Sequence, residues 1–133
     1  MIQNQIMPWL LQCDLDGAKE ALKSRRFDLI VTAAFNVRVP YPEESIALIL
    51  PVNDHDDVPG VFFDLAALAA RTHLGDVLVH CNGGRNRSVA FAAAIAYSLD
   101  FQPFDVTFER ANSSPTKEVM AALVRWRERT AHR

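Results

Sequence analysis

At 133 residues the chain has room for one domain built on a single well-covered core. Half of its residues are hydrophobic and 23% are charged, which excludes a disordered chain. A net charge of −2 excludes blanket attraction to nucleic acid or acidic membranes, so an anionic ligand has to be caught by local charge.

The first 26 residues hold one expected helix, "DGAKEALKSR" (16–25). Two apolar runs, "FDLIVTAA" (27–34) and "SIALILPV" (45–52), predict strands. The segment between them, "NVRVPYPEE" (36–44), predicts a loop because its prolines break regular structure. "PGVFFDLAALAARTH" (59–73) predicts a helix with Gly75 as its C-cap. A third strand is expected over "DVLVH" (76–80), and "SVAFAAAIAYSL" (88–99) is the helix after the glycine loop. A short helix over "FDVTFERAN" (104–112) follows the break at Pro103. The last helix, "SPTKEVMAALVRWRERT" (114–130), is expected to start with Ser114 as N-cap and Pro115 at its first position, and to turn Val119, Leu123 and Trp126 into the core.

The strands are solid apolar runs rather than alternating ones, which predicts burial on both faces, as in a parallel sheet. The fold class expected is therefore α/β, with a central mostly parallel sheet flanked by helices. No apolar run approaches the ~20 residues of a membrane span, and the start lacks a basic stretch before its short apolar patch. The two cysteines cannot build a disulfide framework, so a reduced, cytoplasmic location is expected.

The stretch that carries chemistry is "VLVHCNGGRNRSVAF" (77–91). Cys81 ends the third strand, and Arg87 and Ser88 open an alanine-rich helix. A short loop wrapped between a strand and a helix N-terminus turns successive backbone N–H groups inward and makes a cup for an anion. Gly83 and Gly84 permit the backbone to come close, and Arg87 offers two parallel N–H donors to phosphate oxygens. The same field favours the thiolate of Cys81 as a nucleophile toward phosphorus. Ser88 is placed to donate a hydrogen bond to that sulfur. The loop residues Asn82, Gly83, Gly84, Arg85, Asn86 and Arg87 are the expected phosphate binders. A structural cysteine beside an ordinary βα turn would leave Arg87 and the double glycine unexplained.

"HCNGGRNRS" resembles the His-Cys-x-x-Gly-x-x-Arg-Ser/Thr signature of the cysteine-dependent protein tyrosine phosphatase superfamily. The short chain, with its cysteine well past the middle, looks most like the dual-specificity phosphatase family. The low-molecular-weight tyrosine phosphatases, whose cysteine lies near the N-terminus, fit poorly. The likeness covers most of the chain and is weakest before residue 27 and after residue 110. It implies a compact phosphatase-like fold and a two-step reaction through a phosphocysteine. It also implies no metal or other cofactor, and a phosphorylated protein or peptide as substrate.

Such a reaction needs a proton donor for the leaving oxygen and then a base for water, and one carboxyl group serves both. "VNDHDDVPG" (52–60) offers Asp54, Asp56 and Asp57. Asp54 lies closest to the strand end and matches the aspartate that the family carries there. Asp57 has an alternative use as N-cap of the following helix, and the interval from Asp54 to Cys81 is shorter than is usual in the family. His80 is expected to orient the loop through its backbone. His55, His73 and His132 show no metal-ligand spacing. Cys13 reads as small core filler, with a regulatory disulfide to Cys81 as the alternative.

Arg85 is expected at the rim of the cup. A basic residue there is similar to relatives that handle phosphoinositides, and "NRS" is similar to the Asn-Arg-Thr of RNA 5′-triphosphatases of the superfamily. The absence of a nucleic-acid patch or membrane surface in the sequence, and the three aspartates of the acid loop, argue against both. The C-terminal arginines Arg125, Arg127, Arg129 and Arg133 read as a solvated helix face. A phosphate-binding module without catalysis is the rival outside enzymes.

Overall fold

The computed structural model describes residues 1–54 and 57–131. Five strands make one sheet: β1 (Gln3–Met7), β2 (Leu10–Cys13), β3 (Leu29–Ala33), β4 (Ile46–Leu50) and β5 (Val77–His80), in the order β1-β2-β5-β3-β4. Three of the four pairings, β2 with β5, β5 with β3 and β3 with β4, are parallel, and only β1 runs antiparallel to its neighbour. The mostly parallel α/β sheet expected from the sequence is what forms. The hairpin β1–β2 is an addition that the sequence reading lacked.

Side-chain alternation across the strands divides the interior in two. Leu10, Leu29, Val31, Val77 and Val79 face one way, into a core with Phe63, Phe91, Ile95, Leu123 and Trp126 from the helices α2 (Gly60–His73), α3 (Arg87–Asp100) and α5 (Lys117–Ala131). Leu11, Cys13, Ile30 and Leu78 face the other way, against Ala18 and Ala21 of α1 (Leu15–Ser24). Helix α3 is buried continuously from Arg87 to Ala96. Its five alanines between 90 and 96 allow that, because small side chains let the sheet and three helices, α2, α4 (Phe104–Ala111) and α5, close on it from several sides.

Several local expectations are corrected. β4 is not buried on both faces: it is an edge strand, with Ile46 and Ile49 exposed and Leu50 covered. An apolar run looks the same at an edge as at the centre. The left-handed residue that ends α2 is Leu74 (φ 43°), not Gly75. Gly75 is needed instead for space, since a Cβ there would run into the Asp28 carboxylate, which accepts from the Asp76 amide. Helix α5 starts at Lys117, with the Thr116 carbonyl accepting from Met120, so Ser114 and Pro115 lie ahead of it as a loop. Pro59, not Asp57, takes the N-cap position of α2. No helix among the described residues is long and apolar enough to cross a membrane.

Candidate active site

The crossovers place the carboxyl ends of β2, β3, β4 and β5 at one edge of the sheet, the edge where ligands bind in open parallel sheets. Cys81 follows β5, Asp54 lies beyond β4, and Asp14 follows β2 to cap α1. A separate hollow of about 560 Å³, lined by Trp9, Leu74, Asp76 and Asp100, lies at the opposite edge, away from this chemistry.

The loop from Cys81 to Ser88 is curled, not extended. Its carbonyls are drawn outward by three different elements. The Leu15 amide donates to the Asn82 carbonyl (3.0 Å), Gln12 Nε2 donates to that of Gly84 (2.8 Å), and Ser113 Oγ donates to that of Arg85 (2.6 Å). Peptide units whose carbonyls point out present their N–H groups inward. The Gly84 amide donates to Cys81 Sγ at 3.2 Å. The amides at the start of α3 add the unpartnered donors of a helix N-terminus. Cys81 Sγ and Ser88 Oγ are in hydrogen-bond contact at 3.1 Å.

The two glycines are not equivalent. Gly84 sits at φ +72°, and a Cβ there would lie 2.8 Å from backbone and side-chain atoms of Asp14; a Cβ on Gly83 would meet nothing. Gly84→Ala is therefore expected to cost about 2 kcal/mol or more, from backbone strain plus overlap, and to weaken phosphate binding. Gly83→Ala should stay within about 0.5 kcal/mol. Denaturant unfolding and phosphate titration of both variants check this; equal effects would contradict it.

Arg87 is buried. Its Nη1 donates to the Val52 carbonyl (2.8 Å), which fixes the guanidinium against the end of β4. Its Nε has no hydrogen-bond partner among the described residues and faces Asp54 Oδ1 as an ion pair at 3.5 Å. The same carboxylate oxygen accepts from Asn86 Nδ2 at 2.6 Å, and Asn86 Oδ1 accepts from the Thr116 amide at 2.8 Å. Asn86 thus ties the acid loop and the start of α5 to the cup. Of the other acid candidates, Asp57 turns away to Arg125 (2.6 Å), and Asp56 lies outside the described residues, as do His55, His132 and Arg133. Arg85 and Asn82 are both exposed. Among the described residues no three His, Cys, Asp or Glu side chains cluster as metal ligands.

His80 is fully buried on the α1 side of the sheet. Its Nδ1 lies 3.1 Å from the Cys81 carbonyl, which can only accept, so Nδ1 carries the proton. Nε2 then accepts from Thr32 Oγ1 (2.8 Å), which accepts in turn from the Tyr41 hydroxyl (2.5 Å). Burial pushes the His80 pKa below its usual 6.5, with the Cys81 carbonyl pulling back weakly. Between the folded and unfolded values the unfolded chain binds the extra proton, so stability rises with pH there. The contribution is complete above about pH 6.5 and is lost as pH falls below it. His80→Asn, which keeps a donor for the carbonyl, should lose fewer degrees of Tm between pH 7.5 and 5 than the parent, by a few degrees on the order expected for ~1 kcal/mol. An identical pH dependence in the two proteins would contradict the assignment.

Cys13 is fully buried, and burial first, then the Asp14 carboxylate, pushes its thiol up to about 12. It packs with Phe27 and Leu78 as core filler. Gln12, its neighbour, is the functional-site residue that the sequence reading missed. It is fully buried and reaches both Gly84 and Ser88.

The fold is that of the dual-specificity phosphatases. No family model matches the chain, and no curated protein does. Among solved structures, human DUSP28 superposes with a TM-score of 0.82 at 20% identity, covering 98% of this chain and 96% of that one. Tk-PTP in its active form superposes at 0.77 with 17% identity, over 96% and 97% of the two chains. The human tyrosine phosphatase-like serine/threonine/tyrosine-interacting protein does so at 0.77 with 18% identity, over 97% of each.

Proposed function

We propose that the chain is a cysteine-dependent phosphoric monoester hydrolase of dual-specificity type. The observation that carries this reading is the convergence, at one sheet edge, of a sulfur touched by the Gly84 amide and Ser88 Oγ with a buried guanidinium paired to Asp54. In the first step Cys81 Sγ attacks phosphorus; the S–P bond forms as the bond to the leaving oxygen breaks, and that oxygen takes the proton of Asp54. In the second step the Asp54 carboxylate takes a proton from water as its oxygen attacks phosphorus. The S–P bond breaks, and the Ser88 hydroxyl steadies the departing thiolate. Arg87 and the amides of residues 82–87 hold the equatorial oxygens, whose charge such a transfer spreads.

The substrate proposed is a phosphorylated protein or peptide. Phosphotyrosine is proposed first, with phosphoserine and phosphothreonine beside it. A cytoplasmic location is proposed with it, since both cysteines are unpaired. The test is a side-by-side assay of phosphopeptides, 5′-triphosphorylated RNA and phosphoinositides. Release of phosphate from peptides at the highest kcat/KM supports the reading. Preference for RNA or lipid headgroups moves the substrate class, and binding of phosphate with no turnover of any of them leaves a binding module.

A further inference from the structure

We infer that Gln12, on β2, is a positioning residue that aims the Ser88 hydroxyl at Cys81 and so sets the rate of phosphocysteine breakdown. The inference rests on the phosphatase reading above and adds to it a residue outside the phosphate loop.

Gln12 is fully buried, yet its amide is matched on every side. Nε2 lies 2.8 Å from the Gly84 carbonyl and 2.7 Å from Ser88 Oγ, and Oε1 accepts from Asn4 Nδ2 at 2.9 Å. The Gly84 carbonyl can only accept, so the atom facing it is the NH₂ group and the amide orientation is determined. One Nε2 hydrogen goes to Gly84 and the other to Ser88 Oγ. With a lone pair of Oγ so occupied, the serine's own proton is available to Cys81 Sγ, 3.1 Å away, whenever the sulfur is anionic and can only accept. Asn4 is held in turn by the Ala111 carbonyl (3.1 Å), so the chain of contacts runs from the end of α4 through β1 and β2 to the sulfur. Strand register brings Gln12 within this reach, because it pairs with Val79 and its side chain points to the α3 side along with that of Leu10.

A hydroxyl proton held on the sulfur matters when sulfur carries negative charge. That charge falls as the S–P bond forms and returns as it breaks, so the second step loses most when the proton is turned away. Gln12→Met removes the donor while keeping an unbranched side chain. Gln12→Glu keeps the shape but makes an acceptor, which draws the serine proton away from sulfur.

Turnover of p-nitrophenyl phosphate is followed by stopped flow, with circular dichroism confirming the fold. Both variants are expected to lower kcat about tenfold, the loss of one hydrogen bond to a charged group. Because Gln12 also holds the Gly84 carbonyl, the first p-nitrophenol burst should slow as well, but less than the steady state, and its amplitude should rise toward one equivalent per chain. In kcat, Gln12→Met/Ser88→Ala should lose less than the sum of the two single losses, because the Gln12–Ser88 contact is removed by either change. If Gln12→Met does not fold, Gln12→Glu carries the comparison. Equal slowing of burst and steady state, or losses that add in the double variant, would overturn the role of Gln12 while leaving the phosphatase reading intact. A parent protein with no turnover would overturn both.

Discussion

Cys81→Ser is expected to abolish turnover of a small aryl phosphate, a loss of about 10⁴–10⁶-fold, the scale at which removal of a covalent nucleophile acts in an otherwise intact site. Phosphate binding should survive, because the groups that hold the oxyanion are elsewhere. The guanidinium of Arg87 is anchored on the Val52 carbonyl, and the loop carbonyls are held by Leu15, Gln12 and Ser113. A serine hydroxyl can still accept from the Gly84 amide where the sulfur now does. Aryl phosphate hydrolysis and calorimetric titration with inorganic phosphate measure the two properties separately. Residual hydrolysis near the parent rate would remove Cys81 from the reaction, whereas loss of phosphate binding along with turnover would make the sulfur part of the fold of the cup.

Asp54→Ala is the second large effect. For phosphate esters with poor leaving groups, turnover should fall at least tenfold, and by about 10²–10⁴-fold if proton donation limits the first step. With an activated leaving group such as p-nitrophenolate, which departs without a proton, the first step should be affected far less. The slope of log kcat/KM against leaving-group pKa should therefore steepen in the variant. The geometry favours Asp54 over Asp57, since Asp54 is bound to Asn86 at 2.6 Å and faces Arg87, while Asp57 is engaged by Arg125. An unchanged profile would shift the role to Asp56.

The site was legible in the sequence to an unequal degree. The stretch from His80 to Ser88 could be read because strand, loop and helix are contiguous there. A cysteine at a strand end, an αL-capable glycine and an arginine at a helix start constrain one another over a few residues, whatever the rest of the chain does. Asp54 could be nominated for a related reason, since it stands close behind a strand whose parallel neighbour β3 places that end at the binding edge. Its place behind the strand and the family resemblance already favoured Asp54 among three aspartates; the structure adds the partners of Asp54 and Asp57, Asn86 and Arg125, which lie 32 and 68 positions away from them.

By itself, the sequence determined the α/β class, the strands β3, β4 and β5, the alanine-rich helix and the strand–loop–helix order of residues 77–91, because each of these is written in local periodicity and local backbone preference. Tertiary structure alone decided the rest. "LLQC" is too short to show a period, and the polar "QNQ" before it reads like a loose end, so the hairpin β1–β2 exists only because β5 offers β2 an edge to pair with. That pairing carries Gln12 out of water to within hydrogen-bond reach of Gly84 and Ser88, 72 and 76 residues along the chain. It leaves β4 as the opposite edge, although that run is as apolar as its neighbours. Local sequence sets what each segment prefers; which polar side chain ends up buried against the sulfur depends on contacts between segments that no local pattern records.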